Sequence, residues 1–373
     1  MSTEYTKRAI SAGLGIGALA LLAAPRASAD TPFTSYPFPS SGAPTPRTMP
    51  DRLAEIKNVK DFGAVGDSVA DDTAAIQRAL DAAYGSAASP NGGGAGVSSN
   101  AAVFFPPGYY KISSPLTLRS VRGAHIFGSG RFTTTIRNTT GGSVVFKTNG
   151  CDYSKFERMS LDVSGAGSIC FDLDWDGTGS CALQSNTFAD IFFQSADYGM
   201  RIGQTGFMGS ENLFQNCFFA NHGVAGLVTK NYNALQQSIM GGNFQGCATG
   251  IWVQSGSVPL IQGVGFQNGN GWDIGVDNTA GDTYSVLGCR SESLNFGRFQ
   301  NGCGVHLSGC SQTNPNVGYF AYIEAGSHGV GILDACNSRN GRLIGNGKFY
   351  LRGNLFLNPG YLTPISGTIL QNI

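Results

Sequence analysis

The sequence predicts an all-β chain wound as a parallel β-helix, a solenoid of short coils behind one N-terminal capping helix. Of 373 residues 54 are Gly and only 13% are Asp, Glu, Lys or Arg, about double and half the usual shares, which excludes a coiled coil or long-helix protein. A small residue followed by apolar, any, apolar recurs at Gly199-Met200-Arg201-Ile202, Gly226-Leu227-Val228-Thr229, Gly250-Ile251-Trp252-Val253, Asp273-Ile274-Gly275-Val276, Gly304-Val305-His306-Leu307 and Gly329-Val330-Gly331-Ile332, in steps of 27, 24, 23, 31 and 25 residues. One period of this length is the signature of a solenoid. The 41% hydrophobic share, with 24 Phe and 13 Tyr, supplies a core and argues against disorder. A β-sandwich or propeller is the rival for evenly spaced short strands, but continuous Phe, Ile and Val columns favour the solenoid.

Residues 1–29 read as a secretory signal: Lys7 and Arg8 precede an apolar run from Ile10 to Ala24, and Ala27-Ser28-Ala29 supplies small residues before Asp30. The run is too short for a bilayer span, so the mature protein is expected outside the cytoplasm, periplasmic or extracellular, with no membrane contact after cleavage. Residues 30–50 form an extended Pro/Ser/Thr-rich leader, and the β-helix domain is assigned to 51–373, its cap and opening segment to 51–112. Within the cap, Ala75, Ile76, Ala79, Leu80 and Ala83 share one helical face behind Asp71 and Asp72, which sit where a helix start needs acceptors. Val103 to Ile112 reads as strand, turn, strand around Pro106-Pro107-Gly108.

The segments DFGAVGDSVADDTAAIQRAL and VFFPPGYYKI resemble the opening of the pectate-lyase superfamily, rhamnogalacturonase/epimerase-like group, which includes many phage tailspike proteins. The resemblance covers about residues 58–112. It implies a right-handed, single-stranded parallel β-helix whose open end this helix caps, and it transfers no catalytic residue. The N-T-D, D-D, G-H-G and R-I-K series of polygalacturonase-type relatives and the W-x-D-H and R-x-P-x-x-R strings of pectate lyases do not occur in the chain.

A second strand precedes each repeat: Phe188 to Phe193, Phe214 to Phe219, Met240 to Gln245, Gln262 to Gln267, Leu287 to Glu292 and Phe320 to Glu324. Residues 294–302 read as an inserted loop. On this register the outward column of the second strand runs Phe193, Phe219, Gln245, Gln267, Glu292, Glu324. Glu292 and Glu324 are thereby expected on adjacent coils about 4.8 Å apart, near the spacing of a retaining glycosidase pair, with Arg290 two places before Glu292. The first-strand column places Arg201, Trp252 and His306 outward, with Lys230 and Asp277 two places further along their coils. Trp252 offers a flat apolar platform for a sugar ring, and His306 is the best-placed histidine for proton transfer. Asp172, Asp174 and Asp176 alternate with apolar residues on one face and could bind calcium or form an acid pair.

These residues give the functional expectation: a polysaccharide-degrading glycoside hydrolase with Glu292, Glu324, Arg290 and His306 catalytic, and Trp252, Arg201, Lys230 and Asp277 binding substrate. Hydrolysis requires no cofactor. Two alternatives stand beside it: β-elimination on a uronate polymer, with calcium at Asp172, Asp174 and Asp176, and a non-catalytic glycan-binding or cell-surface structural protein. With 24 basic and 24 acidic residues, no global field gathers nucleic acid. The polysaccharide and the oligomeric state are left open. The nine cysteines read as small apolar fillers, with a bridge such as Cys303–Cys310 allowed in an oxidising compartment.

Overall fold

A computed structural model of the chain describes residues 37–38, 47–86, 89–90, 101–178, 181–207, 209–277, 282–324, 330–346, 348–356, 362–366 and 369–370. The expected signal at 1–29, most of the leader and Gly329 of the last repeat lie outside the described residues. The chain divides into two compact units, Met1–Glu55 and Ile56–Ile373. In the first, Pro37–Phe38 pairs antiparallel with Arg47–Thr48, and a short helix, Met49–Leu53, starts at a capping box between Thr48 and Asp51.

The second unit is a parallel β-solenoid of about 9 turns. Its strands form an 11-stranded sheet, in which each strand pairs with the equivalent strand one coil earlier, and a 23-stranded sheet that bends between two flanks. Helix Thr73–Tyr84 buries Ala75, Ile76, Ala79, Leu80 and Ala83 as the spacing predicts. Its start differs in detail from the expectation. Asp71 accepts the Thr73 amide at 3.0 Å, whereas Asp72, although the capping residue, turns back to accept the amides of Val65 at 2.6 Å and Gly66 at 3.0 Å. Ala102–Phe105 and Gly108–Ile112 are strands as predicted, each paired to neighbouring coils instead of to each other.

Each coil turns through left-handed backbone. Where the 23-stranded sheet bends, Arg158, Asp190, Asn216, Gly241, Gly263, Gly288, Gly309, Ala335 and Gly353 all have positive φ, Gly242 joining Gly241 at its bend. None is β-branched, the class for which this conformation is most strained. The interior is columnar. Phe193, Phe219 and Phe244 stack at centroid distances of 4.6 and 4.5 Å, and Phe266 follows at 5.4 Å. Buried amides continue from Asn186 to Asn212 and from Asn212 to Gln237, each at 3.0 Å, satisfying polar groups that would otherwise be costly inside.

Across the core, the Phe column faces small residues of the 11-stranded sheet. A Cβ at Gly226 would lie 2.6 Å from the Phe244 ring and one at Gly199 2.7 Å from Phe219. The two sides then exchange volume. In register the Phe column continues as Ser291, Gln312 and Ser338, while Phe296 and Phe320 fill the core from the opposite sheet, 5.5 Å apart. Asp273 and Ser291 meet at the crossover, with the Ser291 hydroxyl donating to the Asp273 carboxylate at 2.5 Å.

This exchange corrects the predicted register. Residues 294–302 are not an inserted loop: Asn295–Phe299 is a regular strand of the 11-stranded sheet. The Gly304 and Gly329 repeats point to strands Gly304–Ser308 and Val330–Asp334, both in the 23-stranded sheet. Gly318–Glu324 belongs to the 11-stranded sheet. Phe193 and Phe219, expected outward, are fully buried. Cys303 and Cys310 flank strand Gly304–Ser308, roughly 20 Å apart along extended chain, beyond disulfide reach; all nine cysteines are unbridged.

Candidate functional site

Because side chains alternate along a strand, the outward face of the 11-stranded sheet can be read as columns. One places Asp172, Arg201, Val228, Trp252, Gly275, Arg298 and Tyr322 on successive coils. The next runs Lys230, Gln254, Asp277, Gln300, Glu324. A third contains Trp272, Asn295 and Tyr319. All four expected substrate-binding residues, Trp252, Arg201, Lys230 and Asp277, therefore share one face, and Glu324 joins them.

The polar groups interlock. The Trp252 Nε1–H donates to Asp277 Oδ2 at 2.8 Å, and Arg298 Nη2 donates to Asp277 Oδ1 at 2.6 Å. The Arg298 guanidinium lies 5.9 Å from the centre of the Trp272 ring, a cation–π contact. Trp272 packs against Tyr319 at 5.5 Å and Tyr322 at 6.4 Å. The Tyr322 hydroxyl donates to Glu324 Oε1 at 2.5 Å and Gln300 Nε2 donates to Oε2 at 3.1 Å. That bond to Glu324, with burial adding to it, raises the Tyr322 pKa. Arg298 Nε is buried with no hydrogen-bond partner among the described residues. Asp277 and Glu324 sit two coils apart in one column, about 9–10 Å between backbones.

At the other end of the face, Arg201 grips Asp172 through two bonds of 2.8 Å each. Lys230 lies over the Tyr198 ring at 5.7 Å, its pKa lowered by burial and by the Arg201 charge. The three aspartates do not converge. Asp172 is held by Arg201, Asp174 accepts the Thr205 amide at 3.0 Å and hydroxyl at 2.8 Å, and Asp176 accepts Asn149 Nδ2 at 3.0 Å and the Thr178 amide at 2.8 Å. Among the described residues no group of three His, Cys, Asp or Glu is placed to hold a metal ion.

The other expected catalytic residues lie elsewhere. Arg290 opens a strand of the 23-stranded sheet and pairs with Glu292 at 2.8 Å, Arg290 exposed and Glu292 half-buried. Glu292 therefore cannot stack on Glu324, which ends a strand of the other sheet. His306 sits between Ser285 and Ile332 on the 23-stranded sheet, not beside Trp252. Arg298, Tyr319, Tyr322 and Gln300 escape the sequence pattern because the position used to find each strand, small at Gly199, Gly226 and Gly250, becomes Phe at 296 and 320, and Trp272 escapes it because it precedes the marker Asp273. Equal spacing is the signal that finds them: registered positions 201, 228, 252, 275, 298 and 322 step by 27, 24, 23, 23 and 24.

A family profile described as rhamnogalacturonase A/epimerase, pectate lyase-like, matches residues 56–277. Mannuronan C5-epimerase AlgE2 of Azotobacter vinelandii is 38% identical over 120 residues, 29% of this chain and 11% of that protein. A probable glucan endo-1,3-beta-glucosidase of Arthroderma benhamiae is 48% identical over 62 residues, 16% of this chain and 6% of the relative. The matched stretches thus span about a tenth or less of these curated relatives. Among solved structures, ORF18 of Geobacillus virus E2 superposes with a TM-score of 0.58 at 17% identity, covering 85% of this chain and 61% of that one, a likeness of fold.

Proposed function

The chain belongs to the rhamnogalacturonase A/epimerase, pectate lyase-like family, and on that premise we propose that it is a polysaccharide-processing enzyme whose substrate lies along the outer face of the 11-stranded sheet, cleaved hydrolytically between Asp277 and Glu324. The supporting observation is the interleaving of Trp252, Trp272, Tyr319 and Tyr322 with Arg298, Asp277 and Glu324 on one flank. Aromatic faces match the C–H faces of sugar rings. Two rungs separate the Asp277 and Glu324 backbones by about 9–10 Å, with Gln300 on the rung between; inverting glycosidases hold their two carboxyls about 6.5–9.5 Å apart around an attacking water. Asp277, paired with a cation, takes the part of the base that activates this water. Glu324, the carboxyl across from it, takes the part of the group that protonates the leaving oxygen. The names of the two curated relatives, an epimerase of mannuronan and a glucanase, agree with a polysaccharide substrate. No helix among the described residues is long and apolar enough to cross a membrane, and residues 1–29 support export.

The Lys230 cluster favours a second reading, β-elimination, because an amine held below its ordinary pKa beside Tyr198 and Arg201 suits removal of a proton next to a carboxylate. One experiment separates the two. The full chain is incubated with a panel of neutral and acidic polysaccharides, with and without calcium, following reducing ends and the absorbance of unsaturated uronates. Reducing ends without absorbance, abolished in Asp277→Asn and Glu324→Gln, are expected. Rising absorbance dependent on Lys230 would replace hydrolysis by elimination, and silence across the panel would remove the catalytic reading.

A further inference from the structure

Cys289, Cys310 and Cys336 occupy the same corner on three successive coils. Each directly follows a left-handed residue, Gly288 at φ 60°, Gly309 at φ 61° and Ala335 at φ 51°, so the repeated backbone aims all three Cβ atoms along one inward column. The flanking strands are in register, Arg290 with Ser311 and Ser311 with Asn337. Each thiol also reaches a carbonyl of the coil before: Ile261 at 3.6 Å, Val286 at 3.2 Å and Leu307 at 3.3 Å respectively. All three are buried.

We infer that this column is a site of covalent modification in which Cys289 and Cys310 close a disulfide between adjacent coils, leaving Cys336 as a reduced third rung. Neighbouring strands bring Cα atoms about 4.8 Å apart, inside the span of about 4.4–6.8 Å that a disulfide needs. The Cys289 and Cys310 thiols lie close enough for each to shift the other's ionisation. The pair is unequal. Cys310 lowers the Cys289 pKa, whereas its own is pushed up to about 12 by Cys289 and by burial, and Cys336 is raised by Cys310 and by burial. Cys289 therefore supplies the attacking thiolate.

With glutathione disulfide as oxidant, the Cys289 thiolate attacks one glutathione sulfur and releases a glutathione thiolate. Cys310 then loses its proton, attacks the Cys289 sulfur of the mixed disulfide and releases the second glutathione thiolate. Two protein thiols give up two protons and two electrons, and the glutathione disulfide is reduced to two thiols. The burial of the column means that the exchange takes place during folding or when the corner opens.

The test compares the full chain, native and refolded from urea, in buffers of oxidised or reduced glutathione, followed by acid quench, alkylation and peptide mapping without reduction. A peptide linking Cys289 to Cys310, with seven cysteines alkylated, is expected in the oxidised buffer. It should persist in Cys336→Ser, disappear in Cys310→Ser, and raise the melting temperature of the oxidised wild type over the reduced. Nine alkylated cysteines in both preparations, or a link from Cys310 to Cys336 or Cys303, would overturn the assignment.

Discussion

Replacing Asp273 by Asn should remove a pH dependence of stability that the wild type carries at neutral pH. Asp273 is buried at the point where the two sides of the core exchange volume, with Ser291 and Ser293 as hydrogen-bond partners and no cation paired with it among the described residues. Burial, opposed by these two serines, pushes its pKa from 3.8 up to about 7. The folded state thus holds this proton about three powers of ten more tightly than the unfolded chain, worth about 4 kcal/mol at 1.36 kcal/mol for each. The sign follows from where the proton sits: the contribution is complete below about pH 3.8 and is lost as pH rises through about 7. Between about pH 5 and 8 the loss comes to about 2–3 kcal/mol. Urea unfolding of wild type and Asp273→Asn at several pH values in this window measures it, the variant cancelling the slope due to other groups. A difference between the two proteins that varies by less than about 0.5 kcal/mol over the window would refute the reasoning, because it would mean that the carboxyl is ionised on both sides of it.

Asp277→Asn and Glu324→Gln should each lower kcat by about 10²–10⁴-fold with little change in KM, whereas Glu292→Gln, on the other sheet, should leave initial rates unchanged. Trp272→Ala should weaken oligosaccharide binding about tenfold in isothermal titration, about 1.4 kcal/mol, with the melting temperature showing that the coil remains folded. Arg201→Ala should destabilise the protein by about 3–5 kcal/mol in urea titration, because it leaves the buried Asp172 carboxylate without its partner. Phe219→Ala, which interrupts a stack with Phe193 and Phe244 on either side, should cost about 3–5 kcal/mol in the same assay.

The solenoid is legible in the sequence where its core is built one way. From Gly199 to Asp273 a small residue marks each strand of the 11-stranded sheet because a ring from the opposite sheet occupies the space in front of it, and within that range Arg201, Trp252, Lys230 and Asp277 are placed on the correct face. Beyond Asp273 the same core volume is filled from the other side by Phe296 and Phe320. A small-residue marker then follows the sheet that has become small, and Gly304 draws attention to the wrong strand. Glu324 reaches the outward face of that sheet, but not beside Glu292, where the sequence pattern places it. Arg298 and Tyr322 are missed because their strands carry Phe at the marker position, and Trp272 because it precedes the marker Asp273. The helix at Thr73–Tyr84 needs no such knowledge, because its apolar spacing is local.

A face built from registered coils changes in whole steps. Inserting or deleting one coil between Trp252 and Glu324 would move the aromatic platform relative to the carboxylates by one rung, about 4.8 Å, while leaving the packing of every other coil as it was, since each coil touches only its neighbours. The length of this face is therefore counted and not tuned. Under the proposed function, a protein one coil longer would select glycans by the number of sugar units between the platform and the scissile bond, and an engineer could alter that number by duplicating a segment of about 23 residues, such as the step from Trp252 to Gly275.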